Sequence, residues 1–222
     1  MNAADTVYLF DVDNTLLDND RVIADLRARL TERFGMESAE RYWTEFEAVR
    51  TATGYADYLG ALQRYREVQH DMPSLLSISS FLLDYPFPDR VYAGSLDVLE
   101  RFGALGPTVI LSDGDVVFQP RKVQRSGLWD AVSGRVLIYI HKEQMLDDLQ
   151  RRYPAQHYVM VDDKLRILTA MKAVLGDRLT TVFVRQGHYA FDLDAIASLP
   201  AADRTIERIG DLIAVDITKG QP

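Results

Sequence analysis

Residues 6–15 read Thr6-Val7-Tyr8-Leu9-Phe10-Asp11-Val12-Asp13-Asn14-Thr15, and this stretch decides the fold. Five β-prone, mostly apolar residues stop at an acid. A strand apolar on both faces belongs inside a parallel sheet. Four later stretches repeat the pattern: Thr108 to Leu111, Val136 to Ile140, Tyr158 to Val161 and Leu179 to Val184. Helix-like segments follow most of them, for example Glu143 to Arg152 and Lys164 to Leu175. Strands alternating with helices predict an α/β fold with a Rossmann-like parallel sheet.

The alternation breaks once. Residues 18–90 are helical in character: Ile23, Leu26 and Leu30 have helical spacing, as do Tyr42, Phe46 and Val49, and then Tyr58, Leu62 and Tyr65. A block of roughly 70 residues is too long for an ordinary crossover. It reads as an all-helical insertion, and Pro86 and Pro88 mark the return to the sheet. The expected division is an α/β core of residues 1–17 and 91–222, with a helical domain of residues 18–90.

Composition narrows the function. The 222 residues carry a net charge of −8, which argues against a sequence-independent grip on nucleic-acid phosphates. There are no cysteines, so disulfides, thiolate metal sites and cysteine nucleophiles are excluded. No apolar run approaches the roughly 20 residues a membrane helix needs, and the first residues lack a signal-peptide pattern. The expected setting is cytoplasmic, without a membrane or nucleic-acid partner; the oligomeric state is left open.

In a parallel sheet all strand ends share one edge, where ligands bind. The first strand ends at Asp11-Val12-Asp13-Asn14-Thr15, and the second at Ser112-Asp113-Gly114-Asp115. The third is followed by Lys142, and the fourth ends at Asp162-Asp163. Converged, these residues form a cluster of carboxylates with one hydroxyl and one ammonium. Carboxylates at close quarters repel unless a cation sits among them. Oxygen ligands without His or Cys select a hard cation, Mg²⁺ in particular. Each element alone has a commonplace reading as a turn, a helix cap or a solvated surface residue. Their order at successive strand ends is what favours a site. The four histidines show no metal spacing. The aromatic residues Tyr42, Trp43, Tyr55, Tyr58 and Tyr65 read mainly as helix packing.

The set resembles the haloacid dehalogenase superfamily, most of whose members are phosphatases. Asp11 to Thr15 matches its Asp-x-Asp-x-Thr signature, Ser112 its second, Lys142 its third and Asp162-Asp163 its fourth. The resemblance spans about residues 6–185, and the insertion resembles the family's helical cap. One departure is Glu143, where the family often has Pro after the Lys; Lys122 is the reserve candidate for that Lys.

The resemblance implies a Mg²⁺-dependent phosphatase acting on a small-molecule phosphate. Asp11 is then the nucleophile and Asp13 the acid–base. Ser112, the Asp113 N–H and Lys142 hold the phosphoryl oxygens. The metal is held by the Asp11 carboxylate, the Asp13 carbonyl and Asp163, with Asp162 beside it. Acid dehalogenases in the superfamily carry Tyr at the position of Asp13, and halide needs no proton, so Asp13 favours an oxygen leaving group. Phosphonate hydrolases use a cap Lys, and no Lys occurs before Lys122. A sugar phosphomutase or a nucleotidase shares the same core residues. A receiver-like phosphoacceptor or a silent binding protein is the alternative from a different class.

Overall fold

The computed structural model describes residues 4–215 and Ile217. Six strands form one parallel sheet: β1 (Ala4–Phe10), β2 (Thr108–Asp113), β3 (Val136–Tyr139), β4 (Ala155–Asp162), β5 (Leu179–Val184) and β6 (Arg204–Ile206). Their spatial order is β3-β2-β1-β4-β5-β6. The order reverses beside β1, between β2 and β4, which is where doubly wound sheets open a binding crevice. Side chains of β1 alternate between two buried layers. Tyr8 and Phe10 face one, Val7 and Leu9 the other, as the apolar run requires.

Two details differ from expectation. β3 stops at Tyr139, and Ile140 is exposed. β6 gives no signal in the sequence because it is three residues long and only Ile206 is buried.

Four helices lie between β1 and β2 ahead of the crossover helix: α1 (Asn19–Phe34), α2 (Met36–Thr53), α3 (Tyr58–Tyr65) and α4 (Met72–Asp84). Asp18 starts α1 by accepting from the Arg21 N–H at 2.9 Å, and Asp57 starts α3 by accepting from the Gly60 N–H at 2.7 Å. Val22, Leu26 and Leu30 form the buried stripe of α1, with Ile23 only partly buried at its margin. Tyr42, Trp43, Phe46, Tyr58 and Tyr65 pack ring against ring, mostly edge to face.

After α4 the chain returns through α5 (Ser95–Gly103) to β2. The helices α6 (Phe118–Arg125) and α7 (Leu128–Ala131) precede β3, α8 (Leu146–Arg152) precedes β4, α9 (Leu165–Leu175) precedes β5, and α10 (Leu193–Ala197) precedes β6. The insertion packs on α6. Phe118 meets Tyr58 and Phe87, and Arg121 donates to the Leu83 carbonyl at 2.7 Å. Phe118 and Phe87 are fully buried there, each contributing about 1.5–3 kcal/mol by removal from water. One apolar layer therefore runs from the sheet into the insertion.

Candidate active site

β1 has β2 on one side and β4 on the other, so its end lies between theirs. Asp11 follows β1 directly, and its N–H donates to the Val161 carbonyl of β4 at 3.0 Å. Ser112 stands on the β2 side, and its hydroxyl lies 3.4 Å from Asp11 Oδ1. Asp162 and Asp163 stand on the β4 side. The turn after β3 carries Lys142 back to Asp11.

Lys142 is buried, and its Nζ lies 2.5 Å from Asp11 Oδ1 and 2.7 Å from Asp162 Oδ2. Its backbone N–H donates to Asp113 Oδ1 at 2.7 Å, which fixes the turn. Burial works against the ammonium, but Asp11, Asp162 and Asp113 outweigh it and hold the pKa above the ordinary lysine value. Lys122 lies elsewhere: its Nζ donates to both oxygens of Asp13, at 2.7 and 2.9 Å. Of the two lysines weighed, Lys142 is the one against Asp11.

Asp162 and Asp163 are both fully buried, with different surroundings. Asp162 Oδ1 accepts from the Lys164 N–H at 2.8 Å, and Oδ2 faces Lys142. The Asp163 N–H donates to Thr15 Oγ1 at 3.0 Å, which ties the signature loop to β4. Both Asp163 carboxylate oxygens, and Asp11 Oδ2, are buried without a hydrogen-bond partner among the described residues. Burial pushes Asp162 up to about 6 and Asp163 well above the carboxylate range. One oxygen from each of Asp11, Asp162 and Asp163 falls within 4.8 Å of the others. Orphaned, buried, oxygen-only donors of this kind could hold a hard divalent cation.

Local backbone chemistry shapes the signature loop. Asn14 has φ +61°, in the left-handed region that Asn tolerates better than most residues. In that conformation its Oδ1 accepts from the Asn19 and Asp20 N–H groups, at 3.0 and 3.1 Å, at the start of α1. The loop that carries Asp11 and Asp13 thus also starts the insertion.

Sequence reasoning missed several neighbours. Gln119 donates to Ser112 Oγ at 3.0 Å. Lys164 stacks its ammonium 4.8 Å from the Tyr189 ring, and the nearby acids Asp163, Asp11 and Asp162 hold its pKa high against burial. Position beside Asp163 was the available signal for Lys164. Nothing local marks Gln119.

A cavity of about 720 Å³ opens over this edge, bounded by Asp13, Arg50, Tyr55, His141, Lys164 and Tyr189 among others. Arg50 and Tyr55 come from α2 and the turn after it, so the insertion forms one wall. Arg50 reaches Tyr189 Oη at 3.3 Å across the opening. A wider depression lined by Pro107, Arg152 and Pro154 lies at the other end of the strands and holds none of these groups.

Fold and site define a doubly wound α/β protein with an acid-rich centre at its topological switch point. The chain belongs to the haloacid dehalogenase-like hydrolases, whose family model matches residues 6–174; it is an enzyme of the hydrolase class. A haloacid dehalogenase-like hydrolase of Burkholderia xenovorans is 67% identical, covering 96% of this chain and 99% of its own, with a TM-score of 0.91. A magnesium-bound hydrolase of this family from Bacillus subtilis is 15% identical over 96% and 98% of the two chains, TM-score 0.63. The L-2-haloacid dehalogenase of Xanthobacter autotrophicus is 14% identical over 94% and 96%, TM-score 0.60. The last two likenesses are of fold. No protein among the curated sequences matches.

Proposed function

We propose that this hydrolase is a Mg²⁺-dependent phosphatase that cleaves a small-molecule phosphate monoester through an aspartyl-phosphate on Asp11. The observation that carries this reading is the buried trio of Asp11, Asp162 and Asp163, in which both Asp163 oxygens and Asp11 Oδ2 have no hydrogen-bond partner among the described residues. Residues 18–90 serve as the cap, and residues 1–17 with 91–222 as the core.

Asp11 is positioned to attack phosphorus. Lys142 holds its other oxygen at 2.5 Å, which fixes the carboxylate and lowers the repulsion an incoming phosphate meets. Ser112 and Lys142 offer donors to the equatorial oxygens, whose charge grows in the transition state. Asp13, on the cavity wall, protonates the leaving oxygen and later takes a proton from water. The Asp11 carboxylate, the Asp13 carbonyl and Asp163 would hold Mg²⁺. Asp162 would stand beside it, its oxygens already engaged by Lys164 and Lys142. When bound, the ion supplies charge neutralisation between nucleophile and phosphate.

Dehalogenation is the alternative that the names of several structural neighbours raise. Asp13 favours an oxygen leaving group, since a halide departs without a proton. The test is a panel of phosphate monoesters and of 2-haloacids, with Mg²⁺ present. Release of inorganic phosphate supports the phosphatase. Transfer between sugar positions without release marks a mutase. Halide release alone, or no turnover of any compound, overturns the reading.

A further inference from the structure

Lys122 is fully buried on α6 and stands outside the cavity wall. A buried ammonium needs its charge and all three of its protons satisfied. Lys122 achieves both with a small set of partners. Its Nζ donates to Asp13 Oδ1 and Oδ2, at 2.7 and 2.9 Å, and to Asn19 Oδ1 at 2.9 Å. The Phe118 ring closes the site at 5.0 Å. Among the described residues Asp13 is the acid that pairs with it.

We propose that Lys122 is a positioning residue that aims the acid–base carboxylate of Asp13, an inference that rests on the phosphatase reading. Three observations converge on this. First, Asp13 is partly exposed to the cavity, while the group that grips it is not, so the grip sets orientation without touching substrate. Second, α6 serves both sides of the centre: Gln119 holds Ser112 and Lys122, three residues on, holds Asp13. Residues three apart share a helix face, so one rigid face fixes the separation of phosphoryl binder and acid–base. Third, Asn19 is the first residue of α1, and its Nδ2 lies 3.5 Å from Tyr58 Oη. The same ammonium therefore ties Asp13 to the helical insertion. Both Asp13 oxygens are engaged in this arrangement. To reach a leaving group, one oxygen turns away while the other stays on Lys122, which makes Lys122 the pivot.

The test uses full-length Lys122→Met with Mg²⁺, in single-turnover release of p-nitrophenol from p-nitrophenyl phosphate and of glycerol from glycerol 2-phosphate. An alkoxide needs a proton to depart and p-nitrophenolate does not. If Lys122 aims Asp13, the loss for the glycerol ester exceeds that for the nitrophenyl ester by about tenfold or more, within the usual span of acid–base contributions. Lys122→Met added to Asp13→Asn then costs little more than Asp13→Asn alone, as residues acting through one another do. Lys122→Gln keeps a donor at this buried position and is the fold-safe variant, expected to show the same bias at smaller size. Equal losses on the two esters, or losses that multiply with those of Asp13→Asn, overturn the proposal and leave the phosphatase standing. Absence of wild-type turnover on every monoester of the panel, these two included, overturns the phosphatase reading and this inference with it.

Discussion

Asp163→Asn should make the metal-free protein more stable while removing its response to Mg²⁺. The Asp163 carboxylate is fully buried, its two oxygens have no hydrogen-bond partner among the described residues, and Asp11 and Asp162 stand beside it. The Lys164 ammonium offsets part of this at a distance. An unsatisfied buried polar group costs about 1–3 kcal/mol, and a charged one more. Neutralising it with a near-isosteric amide should recover about 1–3 kcal/mol at neutral pH. For a chain of this size that is a rise in Tm of roughly 2–12 °C. Asp162→Asn should gain less, because burial raises the pKa of that carboxyl too but the change also removes a carboxylate that neutralises buried Lys142. The assay is thermal unfolding of wild type and both variants, in EDTA and in Mg²⁺. Wild type should gain about 2.7 kcal/mol when Mg²⁺ reaches a hundred times its Kd, and Asp163→Asn should gain almost none. A destabilised Asp163→Asn, or one that still responds fully to Mg²⁺, would rule out Asp163 as the unsatisfied buried ligand of the ion.

Other outcomes follow from the same geometry. Asp162 and Asp163 bind protons more tightly folded than unfolded, so their contribution to stability is complete below pH about 4 and is lost as pH rises through about 6 and beyond. The Tm increment from Mg²⁺ should accordingly be small at pH 5 and grow toward pH 8, as calorimetry with and without the ion can read. Asp13→Asn should slow single-turnover cleavage of an alkyl phosphate by about 10²-fold or more and that of p-nitrophenyl phosphate far less; equal losses would remove Asp13 from acid–base work. Gly54 has φ +84°, and a Cβ there would sit 2.4 Å from His141 Cε1, so Gly54→Ala should push the His141 ring aside at the cavity mouth and lower kcat/KM by up to about 10²-fold. Gly35→Ala is the control: Gly35 has φ +78° and open space around it, so that variant should share the left-handed strain of about 1–2 kcal/mol and keep its activity.

The sheet was legible because a doubly covered parallel strand must be apolar along its whole length. Val7 to Phe10 satisfies that throughout and Leu179 to Val184 except at Thr180 and Thr181, and β6 does not, since three residues with only Ile206 buried leave no pattern. The helical insertion was legible from the spacing of Tyr42, Phe46 and Val49, all buried on one face of α2. At the site, the strand ends pointed to Asp11, Ser112, Lys142, Asp162 and Asp163, because topology alone brings parallel strand ends together. Pairings that depend on tertiary packing were not legible. Lys122 meets Asp13 across 109 residues of chain, and Gln119 meets Ser112 only through the placement of α6. Lys164 was hidden for another reason: a lysine after an acidic pair reads equally well as a solvated first-turn residue, and it is the Tyr189 ring and the surrounding acids that show it faces inward.

The phosphatase mechanism requires Asp11 to carry the phosphoryl group between substrate and water. Rapid mixing with a ³²P-labelled monoester and Mg²⁺, followed by acid quench, measures this directly. Wild type should yield a protein-bound, hydroxylamine-labile label within the first turnover, on the peptide that contains Asp11, and Asp11→Asn should yield none. Phosphate released with no protein-bound label at any time during the first turnover, or label retained by Asp11→Asn, would contradict the account.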